Sequence, residues 1–410
     1  MDQQRRSKRR RLGTPMHATE DSINGLYQAA TPEEKKNWNG FCEIESEPAL
    51  FDVMLREFGV KGVKVQEVVS LDDEMMAFLN KPVYGLIFLF RWREDDPDKQ
   101  EASCPDGLWF ANQTAGNACA SVALLNIVNN IQEIDLGENL QHFKDFTMPF
   151  TPALRGDAIK NFEFVKRIHN SFARKMDILN SDLQLKNEAT SRKPRSTKSS
   201  YDHADNDAGF HFIAFVPAMG KVWKFDGLER QPQALGECSQ EDWLDLVKPN
   251  ILTRMADYEE DQIEFSILGV VRDPLLDLIG KLAVNVKCLE MVNGRLGTNS
   301  ETNSEPAFEN AVLGPDSSFD LTREAIDNAK ISADEEEMYQ ACSIDELVQH
   351  RQKLSIAQQE LRAAIREEQQ SHRADDDYAT GRSTTNSKAK NDLNHASTFG
   401  AHPSPPGAYM

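Results

Sequence analysis

Apolar residues recur at regular spacings between Trp38 and Asp273, and long polar stretches lie on both sides. In residues 47–58, Leu50, Met54, Leu55 and Phe58 share one helical face, and Gly59 follows as a C-cap. Residues 63–69 read as a short strand. Residues 83–90 (Val-Tyr-Gly-Leu-Ile-Phe-Leu-Phe) are almost continuously apolar, the pattern of a strand buried on both faces. Helical spacing returns over residues 118–131, where Val122, Leu125 and Val128 form a stripe widened by Leu124 and Ile131. Residues 210–216, 221–226 and 263–271 alternate or run apolar and predict three more strands. Helices early and strands late predict an α+β domain around a mainly antiparallel sheet flanked by helices.

The pattern breaks inside this domain. Residues 183–208 are dominated by Lys, Arg, Ser, Asp and Asn, and read as a long mobile loop. The periodicity restarts at Asp273-Pro274, an N-cap followed by proline, which opens a helix over residues 275–292. Residues 293–337 are polar and acidic, as expected of a linker. Ser343-Ile344-Asp345-Glu346 is a capping box that starts a charged helix running to about Gln370. Leu347, Leu354 and Leu361 sit there at heptad spacing. A coiled coil and a single packed amphipathic helix both fit, as does docking onto a partner or onto the catalytic domain. The expected organisation is a disordered arm over 1–36, a globular domain over 37–272, a helical extension over 273–372 and a disordered tail over 373–410.

Length, charge and cysteines narrow the class. A chain of 410 residues has room for two or three domains. The formal net charge of −20 argues against nucleic-acid binding by the catalytic domain, since phosphate contacts need clustered cations. Residues 5–11 are the exception: Arg-Arg-Ser-Lys-Arg-Arg-Arg holds six basic residues in seven and reads as a nuclear-localisation signal. A nuclear and cytoplasmic protein is expected. Cysteines 42, 104, 119, 238, 288 and 342 form no CxxC pair, which disfavours a thiolate zinc site and a disulfide framework. No apolar run approaches membrane-spanning length, and no apolar stretch follows the N-terminal arginines as a signal peptide requires.

Candidate chemistry centres on Gln113-Thr114-Ala115-Gly116-Asn117-Ala118-Cys119. A cysteine at a helix N-terminus has its thiolate favoured by the helix dipole and free backbone N–H groups. The Gln113 amide and the Cys119 N–H are candidate donors to an oxyanion. Most of the nine histidines lie in polar segments, and His142, His169 and His350 fall beside charges on helical patterns, where surface positions explain them. His211 differs, because it opens the apolar strand directly after the polar loop. A lone histidine there is more often a satisfied core residue. Asp226, which ends the next strand, changes the balance: adjacent strands bring an acid beside an imidazole, fixing its tautomer while the other nitrogen takes a thiol proton.

The chain at this point resembles the ubiquitin C-terminal hydrolases, a family of papain-like cysteine peptidases. The likeness covers roughly residues 37–272. It rests on Trp38 with Glu43-Ile44-Glu45-Ser46-Glu47-Pro48-Ala49-Leu50-Phe51, on Tyr84-Gly85-Leu86-Ile87-Phe88-Leu89-Phe90-Arg91-Trp92 and on Asn117-Ala118-Cys119. Gly209-Phe210-His211-Phe212 and Phe225-Asp226-Gly227-Leu228 complete it. His169-Asn170-Ser171-Phe172-Ala173-Arg174 and the C-terminal extension are similar to the longer, proteasome- or chromatin-associated members.

The resemblance implies a deubiquitinating peptidase acting after the C-terminal glycine of ubiquitin, whose arginine-bearing tail suits an acidic protein. It makes Cys119 the nucleophile, His211 the general base and proton donor, Asp226 the residue orienting His211, and Gln113 the oxyanion donor. It implies no metal, no organic cofactor and no membrane. Residues 183–208 become a crossover loop whose length limits the size of the leaving group. Long members are expected to dock a proteasomal or chromatin receptor through an apolar C-terminal segment, where this chain instead carries Thr380-Gly381-Arg382-Ser383. A non-catalytic ubiquitin-binding scaffold and a hydrolase of another ubiquitin-like modifier are the alternatives at this level.

Overall fold

The computed structural model describes residues 28–92, 96–180, 209–239, 241–256, 265–297 and 311–381. Its sheet holds β1 (Val63–Glu67), β2 (Val83–Arg91), β3 (Phe210–Ala218), β4 (Lys221–Phe225), β5 (Gln233–Glu237) and β6 (Ser266–Arg272). The order is β1-β6-β2-β3-β4-β5 and every neighbouring pair is antiparallel. The sequence pattern gives no sign of β5. It is a short edge strand containing Gly236 and half-buried over residues 233–236, so no alternation of burial marks it.

The α-helices of the catalytic region are α1 (Pro32–Asn37), α2 (Pro48–Glu57), α3 (Asp73–Met76), α4 (Cys119–Val128), α5 (Gly137–Thr147), α6 (Pro152–Asn161), α7 (Glu163–His169) and α8 (Trp243–Ala256). The extension adds α9 (Leu275–Leu296), α10 (Arg323–Asn328), α11 (Ala333–Ala341) and α12 (Ile344–Ala379). No described helix is long and apolar enough to cross a membrane.

Both faces of the sheet are covered, which is why β2 reads as an unbroken apolar run. Tyr84 and Ile87 of β2 join Phe212 and Ala214 of β3 and Val270 of β6 in a core with α2 and α4. Leu86, Phe88 and Phe90 face the opposite way, with Phe215, Ile267 and Val271, against Trp243, Val247 and Ile251 of α8.

Outside this frame the chain is more ordered than its composition suggests. Part of the arm expected to be disordered is folded: α1 has a Thr31–Glu34 capping box, and Ala29 bridges Arg174. Within the expected linker, Phe319, Leu321 and Ile326 are buried against Leu282 and Val286 of α9 and Ile365 of α12. Few apolar residues suffice there because two long helices already supply a surface. Helix α12 continues past Gln370 through residues 373–379, where a disordered tail is expected, and stops at Gly381, whose φ of +69° suits glycine. Leu347 is buried while Leu354 and Leu361 are half-buried, so the heptad leucines belong to a packed amphipathic helix. Its C-terminal half lies on the catalytic domain: Lys64 donates to Glu368 (2.7 Å), and Arg56 donates to Asp376 (2.5 Å) and to the His372 carbonyl (3.3 Å). The basic cluster at 5–11, the polar loop at 183–208 and the chain from 382 onward lie outside the described residues.

Candidate active site

Helix α4 presents Cys119 alone. Asn117 takes a left-handed conformation (φ 59°), a geometry asparagine tolerates, and Ala118 caps the helix without a side-chain bond. Cys119 is therefore the first residue of the helix, where backbone N–H groups have no intrahelical partner. All the other residues of α4 are buried, and Cys119 is half-exposed. The apolar run that makes α4 a core helix thus fixes the thiol at its one accessible end.

The segment leading to Gln113 is fastened to the same helix. Asn126 accepts from the Ala111 N–H (2.8 Å) and donates to its carbonyl (3.2 Å). Asn130, one turn on, does the same for Trp109 (3.0 and 2.7 Å). The buried Arg155 guanidinium donates to the carbonyls of Leu108, Phe110, Thr147 and Met148. At the end of this segment the Gln113 N–H donates to the Gly227 carbonyl (2.8 Å). A Cβ on Gly227 would lie 3.1 Å from both the nitrogen and the Cβ of Gln113, so the close approach of the two loops favours glycine. The Gln113 Oε1 is buried without a hydrogen-bond partner, which leaves that end of the amide unfixed. An amide inside an apolar helical run, as at Asn126, is a signal that it needs a partner, but the sequence does not show which backbone it holds. Arg155 carried no comparable signal.

His211 and Asp226 meet as the strand order requires. His211 Nε2 donates to Asp226 Oδ1 at 2.7 Å, and both side chains are buried. Asp226 also accepts from the Leu228 N–H (2.9 Å). With Nε2 committed to the carboxylate, Nδ1 is the ring nitrogen left to face the neighbouring Cys119 thiol. Burial alone would depress the imidazole, but the bonds to Asp226 and Cys119 and the charges of both outweigh it, and His211 is pushed up to about 9. Burial likewise opposes the Asp226 carboxylate, yet the His211 bond and charge, the Leu228 N–H and Lys224 hold it below its ordinary value. Of the four residues singled out from the sequence, His211 meets Asp226 and lies beside Cys119, and the Gln113 backbone is bonded to Gly227, next to Asp226.

His169 corrects the expectation of a surface position. It is fully buried: Nε2 donates to the Cys42 carbonyl (2.8 Å), so Nδ1 accepts from the Ser121 hydroxyl (2.8 Å). Burial drives it down to about 4 against the Cys42 bond, which keeps the ring neutral. It ties α7 to α4 two residues after the nucleophile. His142 is exposed, as expected of a surface position, and His350 is half-buried with its ring edge-on to Tyr339. His372, assigned to a polar segment, lies on α12 against Asp273.

Comparison with known proteins matches residues 41–256, more than half of the chain, to "Ubiquitin carboxyl-terminal hydrolase, family 1". The ubiquitin carboxyl-terminal hydrolase isozyme L5 of Dictyostelium discoideum is 36% identical over 270 residues, which cover 64% of this chain and 73% of that protein. Ubiquitin carboxyl-terminal hydrolase ubh-4 of Caenorhabditis elegans is 36% identical over 234 residues, 56% of this chain and 66% of that one. Among solved structures, Trichinella spiralis UCH37 bound to ubiquitin vinyl methyl ester is 30% identical, with a TM-score of 0.46, over 60% of this chain and 87% of that one.

Proposed function

This chain belongs to family 1 of the ubiquitin carboxyl-terminal hydrolases, and on that premise we propose that Cys119, His211, Asp226 and Gln113 are the residues that hydrolyse the bond after the C-terminal glycine of ubiquitin. The protein is a thiol-dependent deubiquitinase, and ubiquitin is its partner. The observation that carries the assignment of roles is the buried bond between His211 and Asp226, with Cys119 beside that imidazole at the start of α4.

The thiol proton passes to Nδ1 of His211, and the sulfur attacks the glycine carbonyl. Negative charge on the carbonyl oxygen is met by the Cys119 N–H and by the Gln113 amide, free to turn its NH₂ toward the anion. His211 then protonates the leaving amine while Asp226 holds the ring in register. Water attacks the thioester, with His211 as base, and releases ubiquitin. Residues 37–272 form the catalytic domain in this reading, and the helical extension expected over 273–372 runs on to the end of α12 at Ala379. The basic cluster at 5–11 supports work in the nucleus as well as the cytoplasm. A proteasomal or chromatin receptor would engage the extension, whose α12 exposes Ile344, Ile356 and Tyr378.

The test is labelling by ubiquitin vinyl methyl ester together with turnover of a fluorogenic ubiquitin substrate. Cys119→Ala is expected to lose both while still binding ubiquitin, and Gln113→Ala to lower kcat by about 10²–10³. A native chain that neither labels nor turns over would be a binding scaffold instead.

A further inference from the structure

Where α12 reaches the catalytic domain, three side chains of metal-ligand type meet. Asp273 lies in the connection between β6 and α9, and Glu368 and His372 stand one turn apart on α12, on one helical face. One ligand atom of each lies within 4.8 Å of the other two.

The bonding around them leaves ligand atoms uncommitted. His372 Nε2 is buried and has no hydrogen-bond partner. The nearest carboxylate oxygen, Asp273 Oδ2, is 3.5 Å away, beyond a normal N–H···O bond. Two ligands held about 2.0–2.1 Å from one tetrahedral zinc ion are separated by roughly 3.4 Å, so this gap fits an edge of such a site better than it fits a hydrogen bond. Asp273 uses its other oxygen, Oδ1, to accept from the Leu275 N–H (2.9 Å), which aims Oδ2 at the imidazole. Glu368 gives Oε2 to Lys64 (2.7 Å) and retains its second oxygen.

We propose that Asp273, Glu368 and His372 bind a zinc ion, with water completing the tetrahedron, and that the ion staples the C-terminal half of α12 to the β6–α9 junction. One imidazole and two carboxylates suit zinc among the common divalent ions, and they offset its charge. Burial foremost, with Arg56 and Lys64, holds His372 below its ordinary value despite Asp273. Lys64 opposes the site, because it competes for Glu368. The cysteine pattern argues only against a thiolate site, and this one uses no thiol.

Zinc binding is measured on the full chain carrying Cys119→Ala, so that the reactive thiol does not contribute, by competition with a fluorescent chelator. One equivalent should bind. Asp273→Asn or His372→Gln, each checked for native circular dichroism, should weaken it by more than the roughly 10–100-fold that outer-shell changes cost. Lys64→Met should tighten it. Zinc added to the chain with its ligands intact should also slow backbone hydrogen exchange over residues 366–379. Equal zinc affinity with and without Asp273 and His372, or exchange there indifferent to zinc, would overturn the proposal and leave His372 and Asp273 as an ion pair.

Discussion

His211 and His169 are both buried imidazoles, yet their surroundings move them in opposite directions. Asp226 and Cys119 bring negative charge to His211 and hold its proton to about pH 9. As the leaving amine needs that proton, kcat/KM should fall on the alkaline side with an apparent pKa near 9. Asp226→Asn removes the carboxylate charge that helps raise His211, so the alkaline limb should move to lower pH. A profile with fluorogenic ubiquitin checks this, and an unmoved limb would show that Asp226 does not set it. His169 meets only a hydroxyl and a carbonyl, and burial takes it down to about 4. Between that value and the ordinary 6.5 the unfolded chain binds a proton that the folded chain refuses. Stability should therefore fall as pH drops through this window, by on the order of 3 kcal/mol for this one group. Urea unfolding from pH 7 to pH 4 reads the slope, which His169→Gln should flatten. The local sequence sets His211 on an apolar strand and His169 on a charged helical pattern, but it does not show that His169 is buried. Asp226 beside His211 was legible because strands adjacent in sequence tend to pair, whereas the Ser121 and Cys42 contacts of His169 depend on helix packing.

At the scale of elements, legibility followed the strength of the periodic signal. β2, β3, α2 and α4 bury whole faces, so their apolar spacing is imposed by the core and reads directly. The segment around Phe319 has only a few apolar residues in an acidic stretch. What holds it is its surroundings: Phe319 is buried among Leu282, Val286 and Ile365, with the guanidinium groups of Arg362 and Arg366 5.4 and 5.1 Å from its ring. Phe319→Ala should cost about 3–5 kcal/mol in the packing of the extension. Thermal unfolding should show the loss, while turnover of a small fluorogenic ubiquitin substrate should stay near normal, since α4 and β3 do not touch this cluster. A matching fall in turnover would mean that the extension and the active site are one cooperative unit.

Across the whole molecule, the long helix α12 joins two bodies of structure. Its first half packs on α9 through apolar contacts, and its second half meets α2 and β1 through charge. Arg56 is the centre of the second contact, bonded to Asp52 within its own helix and to Asp376 and the His372 carbonyl on α12. Isolated surface pairs contribute little, but reversing this charge sets a carboxylate against Asp52, Asp375 and Asp376 together. Arg56→Glu should speed hydrogen exchange over residues 366–379 and leave residues 344–360 protected. Exchange that rises along the entire helix would show that its two halves do not separate.

The sequence by itself determined the α+β class, the main strands, the helix-start cysteine and the order Gln113, Cys119, His211 and Asp226. These are properties of local periodicity and of residue types at set positions, which a linear chain displays. Only the tertiary structure decided that β6 lies between β1 and β2, that Asn126, Asn130 and Arg155 hold the Gln113 segment on α4, and that His169 is buried. It also brought Asp273 against Glu368 and His372. Each of these contacts joins residues far apart in sequence whose types are ordinary on their own, so their meaning exists only once the fold has placed them together.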